Sequence, residues 1–386
     1  MGKPITDYRQ PPYEMVEKLP DLRRIAKHLQ TGGIIGVDLE ADSMFHYQEK
    51  VCLVQMASND QTFLIDPLAL KDLSPLAPVF ADPGVRKVFH GADYDIRSLY
   101  RDFGIEVRSL FDTQIAARFL GFRETSLASL LKDLSGLVIE KKYQKKDWSQ
   151  RPLPSAMCVY AARDACHLME LSKVFEERLR AKGLLFCVDE ECEMLSKVRP
   201  APMEDSPFFL RFKGAGNLDS RSLAVLEALL QFRHELARKQ DRPPFKILGN
   251  IPLMEMAQKK PVNESELKSV GRLSARQLKS LGRPLLQRIS EALSLPEEAL
   301  PSYPHKPRSA YDPKVARRIR ALREWRVQRS KRLGVDSALT LSNAQIRSLV
   351  DAPPQDLGDF QRIGELRNWQ KRLFGNEICR LLDTVA

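Results

Sequence analysis

The apolar positions of the first 180 residues switch between short continuous runs and a helical stripe. Gly33-Ile34-Ile35-Gly36-Val37-Asp38-Leu39-Glu40 is an apolar run bounded by Gly32-Gly33 and by polar residues after Glu40, which predicts a buried strand. Val51–Ala57 (VCLVQMA) and Gln61–Asp66 (QTFLID) predict two more, parted by the turn-forming Ser58-Asn59-Asp60. Three strands at hairpin spacing predict an antiparallel meander, and a fourth strand is expected over Val85–His90. Asp21–Thr31 carries Leu22, Ile25, Ala26 and Leu29 at helical spacing. Further helices are expected around Leu73–Phe80, twice within 109–137, and as one long element from about Pro154 to Arg180. Strands alternating with helices predict an α/β layer fold with a mixed sheet. Lys141–Leu153 (KKYQKKDWSQRPL) has no period and reads as a loop. Its basic side chains interleaved with two aromatics suit a phosphate chain with stacked bases, and equally a plain solvated loop.

A linker near Arg199–Pro207 closes this front region, and the remainder repeats itself. At a shift of 93 residues Leu229 meets Leu322, Phe232-Arg233 meets Trp325-Arg326, Leu248 meets Leu341 and Asn250 meets Asn343. Pro261 and Pro354, Val270-Gly271 and Ile363-Gly364, Leu273 and Leu366, and Gly282 and Gly375 agree at the same shift. Two copies of one small all-helical unit follow, joined through Pro296, Pro301, Pro304 and Pro307.

Charge sharpens that division. The net charge is +11, yet residues 1–200 hold 28 basic and 29 acidic residues while residues 201–386 hold 33 and 21. A near-neutral front and a basic rear point to a polyanion held by the rear half. The most basic stretch, Lys306–Arg332, sets eleven Lys and Arg against Asp312 and Glu324, with Arg317, Arg320, Arg323 and Arg326 spaced by threes. That unpaired excess favours nucleic-acid phosphate. No run of 18 apolar residues exists, and the polar, proline-bearing first twenty residues contain no apolar signal core, so neither a membrane span nor secretion is expected. Six cysteines without a Cys-x-x-Cys read as buried thiols of a reducing, cytoplasmic compartment, and scattered histidines weigh against zinc.

The candidate chemistry lies in acids. Asp38 and Glu40, at i and i+2 of a strand, face the same way. Such a pair repels by roughly 1–4 kcal/mol at about 4 Å, which a shared cation or an acid/base task would offset. A strand end emerging into solvent tolerates it too. His90-Gly91-Ala92-Asp93-Tyr94-Asp95 opens a helix at the sheet edge, where Asp95 fits a site and also fits a helix cap. Tyr160 and Asp164, at i and i+4, share a helix face, as they would in any amphipathic helix with a buried tyrosine.

Taken in order, VDLEAD (Val37–Asp42), HGADYDIRSL (His90–Leu99) and YAARD (Tyr160–Asp164) resemble the three motifs of the DEDD exonuclease superfamily, in the tyrosine subgroup that includes the ribonuclease D family. Phe232–Asn250 (FRHELARKQDRPPFKILGN) resembles the HRDC domain, and the second copy departs from it at Gly334–Ala338. The resemblance covers nearly the whole chain. It implies an α/β ribonuclease H-like exonuclease domain over 1–205 and two small all-α HRDC domains over 206–300 and 301–386. It also implies that Asp38, Glu40, Asp95 and Asp164 bind two divalent cations, Mg²⁺ or Mn²⁺, and that Tyr160 helps Glu40 position the attacking water. His90 is then structural rather than a base. The expected activity is 3′–5′ exoribonuclease action by a monomer on tRNA precursors and other small structured RNAs, releasing 5′-mononucleotides without a small-molecule cofactor. A DNA-directed 3′ exonuclease shares the fold. An idle nucleic-acid-binding protein is a third class, against which the intact acids and tyrosine argue.

Overall fold

Asp38 and Glu40 stand at the end of a strand that sits inside a six-stranded mixed sheet, ordered β1-β4-β3-β2-β5-β6. The strands are β1 (Tyr13–Val16), β2 (Ile34–Ala41), β3 (Val51–Ala57), β4 (Thr62–Ile65), β5 (Arg86–Phe89) and β6 (Leu110–Asp112). The computed structural model describes residues 11–139, 142–201, 206–270, 272–304, 312–363 and 366–385. The β2-β3-β4 meander is antiparallel as expected, whereas β5 runs parallel to β2 and β6 parallel to β5. Parallel neighbours end at the same sheet edge. The Asp93–Phe103 helix leaving β5 therefore starts beside the end of β2.

Two strands escape the periodicity. β1 is four residues beside prolines and gains its identity by pairing in parallel with β4, and β6 is three residues within a segment that reads as helical. The long helix expected from Pro154 is two helices, Ser155–Cys166 and Leu168–Ala181, interrupted at His167. The apolar stripe continues across the break, so spacing alone cannot reveal it. All six cysteines are buried and none forms a disulfide, and no helix of the described residues is long and apolar enough to cross a membrane.

The chain forms two compact units: residues 1–41, 51–200 and 310–386, and residues 42–50 with 201–309. Both helical repeats keep one internal device. Arg233 donates to the Leu248 carbonyl (3.3 Å) and the Asn250 Oδ1 (2.8 Å), and Arg326 donates to the Leu341 carbonyl and the Asn343 Oδ1 (both 3.1 Å). Arg326 thus ties its own helix bundle together and leaves the basic row proposed above. The departure at Gly334–Ala338 alters residues but not architecture, since Pro244–Ile247 and Ser337–Thr340 form the same short helix 93 residues apart. Lys306 and Arg308 of the basic stretch, Lys141 of the loop, residues 202–205 of the first linker, Pro307 of the second, and Gly271 and Gly364 of the repeat lie outside the described residues.

Within the first unit the second repeat is anchored to the α/β layers. Glu190 accepts from the backbone N–H of Asn368 (2.7 Å) and Trp369 (2.8 Å), capping the Asn368–Thr384 helix. Glu191 accepts the Trp369 indole N–H at 2.8 Å, and the indole meets Phe119 edge-on at 5.2 Å. Trp369→Ala is expected to cost about 3–5 kcal/mol, measured by denaturant unfolding. An unchanged midpoint would show this contact to be dispensable.

Candidate active site

The strand β2 ends with Asp38 and Glu40 half-buried on the same face, as side-chain alternation requires. Across that face lies the Ser155–Cys166 helix, seated unusually close. A Cβ built on Gly36 would fall 2.4 Å from the Ala165 carbonyl oxygen, so only glycine permits the approach. Ala161, Ala162 and Ala165 are fully buried under the helix, and their small side chains serve the same purpose. This seating carries Asp164 to the acids of β2. Carboxylate oxygens of Asp38, Glu40 and Asp164 lie within 4.8 Å of one another.

Asp95, on the Asp93–Phe103 helix that follows β5, is only 8 % exposed; it lies outside the three-carboxylate cluster but near enough for the charge of Asp38 to raise its pKa. Its partner in the motif, Asp93, points away and pairs with Arg97 at 2.9 Å. A residue that the sequence reading missed sets the turn between β5 and this helix. Asp112 accepts from the backbone N–H of Gly91 (3.0 Å) and Ala92 (2.7 Å), and also from Gln114 (2.7 Å) and Ile115 (3.2 Å). One buried carboxylate thus caps the Thr113–Leu120 helix and holds the turn that aims Asp95. The signal was present as an aspartate before Thr113 at a helix start, yet its second task depends on β6 lying next to β5.

The Tyr160 hydroxyl lies beside the Asp164 carboxylate one turn later. The ring is wedged by Tyr143 (centroids 5.8 Å apart) and Trp148 (6.2 Å). Trp148 is 1 % exposed, so its faces serve the tyrosine and not a stacked base. Arg151 fixes that loop with two bonds to Asp66 (2.6 and 2.8 Å) and others to the Cys52 and Trp148 carbonyls. His90 has its Nδ1 2.9 Å from the Thr113 hydroxyl, which donates to the Phe89 carbonyl. Burial holds its pKa below the usual value, and it anchors the strand end.

Electrostatics confirm that the acids share a setting. Burial pushes Asp38 up to about 7 and Asp164, with the charge of Asp38, up to about 8. Glu40 is raised well above the ordinary range by burial and by Asp38, Asp164 and Asp95; Asp95 likewise by burial, Asp38, Asp112 and Asp93. Burial and the neighbouring carboxylates raise Tyr160 far out of reach of neutral pH, so its phenol remains protonated. An all-oxygen cluster whose members resist ionisation fits a hard divalent cation, which would favour the ionised forms together. Asp38, Glu40, Tyr160 and Asp164 line a cavity of about 360 Å³ together with His90, Gln114, Leu127 and Ile139.

These raised values carry a stability consequence. The folded, metal-free chain binds protons that the unfolded chain has already released above about pH 4. The contribution is therefore full at low pH and lost as pH rises through 7–8. From pH 8.5 down to 6.5 the protein in EDTA should gain about 1–2 kcal/mol from these groups. Scanning calorimetry should show the Tm rising by a few degrees, and saturating Mn²⁺ should abolish the trend. Identical slopes with and without metal would refute it.

Residues 13–180 match the family model of a 3′–5′ exonuclease, and residues 222–289 and 315–382 each match the HRDC domain. Ribonuclease D of Granulibacter bethesdensis is 30 % identical over 380 residues, covering 97 % of this chain and 93 % of that protein. This chain belongs to the ribonuclease D family. As a ribonuclease D homologue it is a 3′–5′ exoribonuclease. The crystal structure of Escherichia coli RNase D superposes with a TM-score of 0.71 at 26 % identity, over 97 % of this chain and 99 % of that one. A Bifidobacterium adolescentis protein gives 0.80 at 25 % identity over the same shares. The ribonuclease D assignment agrees with the mixed sheet followed by helical HRDC units.

Proposed function

We propose that this ribonuclease D homologue trims the 3′ ends of tRNA precursors and other small structured RNAs, releasing 5′-mononucleotides by hydrolysis at Asp38, Glu40, Asp95, Tyr160 and Asp164. What carries the reading is the convergence of three carboxylates within 4.8 Å, with the Tyr160 hydroxyl beside one of them. Asp38, Glu40, Asp95 and Asp164 would hold two divalent cations, Mg²⁺ or Mn²⁺. When bound, such ions lower the pKa of an attacking water and offset charge on the leaving 3′ oxygen. The protein's own part is positional. Tyr160 keeps its proton, so it orients Asp164 and the water and does not act as a base. The apolar side chains of Leu127 and Ile139 suit the face of the 3′-terminal base, and the acids of the same cavity suit the phosphodiester on its 5′ side.

The E. coli relative is described as an exoribonuclease involved in structured RNA processing, which supports a structured substrate here. The RNA body would lie on the basic rear half. On the Pro313–Leu333 helix Arg317, Arg320 and Arg323 are exposed, and no ion pair is made by them among the described residues. Replacing all three with Gln should weaken RNA binding by about tenfold and flatten the slope of log Kd against log salt by roughly 2. Arg326→Gln should lower Tm instead, because that side chain is spent internally. An unchanged salt slope for the triple variant would rule out this face.

The deciding experiment incubates a 3′-extended tRNA with Mg²⁺, Mn²⁺ or EDTA and resolves the products nucleotide by nucleotide, beside matched single-stranded RNA and DNA. Stepwise 3′ shortening to mononucleotides with metal alone supports the reading. Endonucleolytic fragments, activity in EDTA or preference for DNA would overturn it.

A further inference from the structure

Gln55 of β3 is fully buried, and neither its amide nitrogen nor its amide oxygen has a hydrogen-bond partner. An unpaired buried carboxamide is costly, and burial selects against it unless a partner lies within reach. The strand register names that partner. Gln55 stands directly opposite Asp38 of β2, with Glu40 diagonal to it opposite Leu53. Directly opposed residues of an antiparallel pair share a face with their Cβ atoms about 4.5–5.5 Å apart, a span that a glutamine side chain crosses easily. On β4 Leu64 stands opposite Gln55 with Thr62 diagonal to it, so Asp38 is the one directly opposed polar group. Leu53 and Leu64 cluster with Ala161 and Ala162, and Ala57 clusters with Ala165, so the amide lies in an alanine-lined seam beneath the Ser155–Cys166 helix.

A carboxylate that ligates a cation through one oxygen needs its other oxygen held, or it rotates between binding modes. Backbone amides and lysines do this at many metal centres, and here the residue within reach is an amide whose N–H₂ has no other use. We infer that Gln55 is the positioning residue for Asp38, its Nε2 donating to the carboxylate oxygen turned away from the cation. It touches neither substrate nor reacting atoms and acts only through Asp38. The inference rests on the reading of Asp38 as a cation ligand.

The test uses the full chain with Gln55→Met, which keeps length and removes the amide, and Gln55→Leu as a second apolar variant. Mn²⁺ affinity is measured by titration calorimetry without RNA, alongside Tm and the kcat and KM for a 3′-extended RNA. Both variants should bind Mn²⁺ about 10–100-fold more weakly and lose kcat in similar proportion. KM should stay within about twofold, and Tm should not fall, because no made hydrogen bond is removed. In an Asp38→Asn background Gln55→Met should add no further loss of Mn²⁺ affinity. Wild-type Mn²⁺ affinity in both variants, or a loss undiminished in the Asp38→Asn background, overturns the role of Gln55. Absence of Mn²⁺ binding by the wild type would instead defeat the ligand reading beneath it.

Discussion

Asp38→Asn should lower the rate of 3′ nucleotide release by at least ~10³-fold while RNA affinity stays within about threefold. The asparagine keeps the shape of the side chain and the β2 strand, so the RNA-binding surfaces are untouched. It removes a hard anionic oxygen from the 4.8 Å cluster. It also removes one of the charges that raise Glu40, Asp95 and Asp164, so the metal-free variant should be more stable than wild type at pH 8. Single-turnover degradation with filter binding separates the effects. Wild-type turnover by this variant would refute the site, whatever the rest of the fold resembles.

Gly36→Val should be nearly as damaging by a different route. Even the first carbon of the new side chain would sit 2.4 Å from the Ala165 carbonyl oxygen, an impossible contact with rigid backbone on both sides. The Ser155–Cys166 helix must lift, carrying Tyr160 and Asp164 away from Asp38 and Glu40. Overpacking of this kind costs about 1–3 kcal/mol, and a displacement near 1 Å at a catalytic group about 10²-fold in rate. Gly32→Ala is the matched control, since a Cβ there meets nothing closer than 3.7 Å, and its activity should be unchanged. Wild-type kcat in Gly36→Val would mean that the seating of this helix does not set the site.

Glutamine 55 and Asp112 illustrate why some working residues escape a reading of the chain. Each is an ordinary residue for its local context, a polar position in a strand and an aspartate before a helix. Each acquires its task from the strand beside it, Asp38 across from Gln55 and the β5 turn across from Asp112. Trp148 shows the converse, a residue between two readings that the chain order leaves open. Its setting among lysines suggests a stacking surface, yet the Arg151–Asp66 clamp folds the loop inward and buries it against Tyr160.

The amino-acid order alone determined which segments are strands in the meander, the four acids and tyrosine with their spacing, the near-neutral front and basic rear, and the doubled helical unit. These are properties of local periodicity, residue type and internal similarity, and they need no neighbour. Tertiary structure alone decided that β1 and β6 exist, that the long helix breaks at His167, that Arg326 is consumed inside its own bundle, and that Asp38, Glu40 and Asp164 share one centre. Strand pairing, burial and charge–charge contact depend on residues distant along the chain, and no local pattern of apolar and polar positions encodes who those neighbours are.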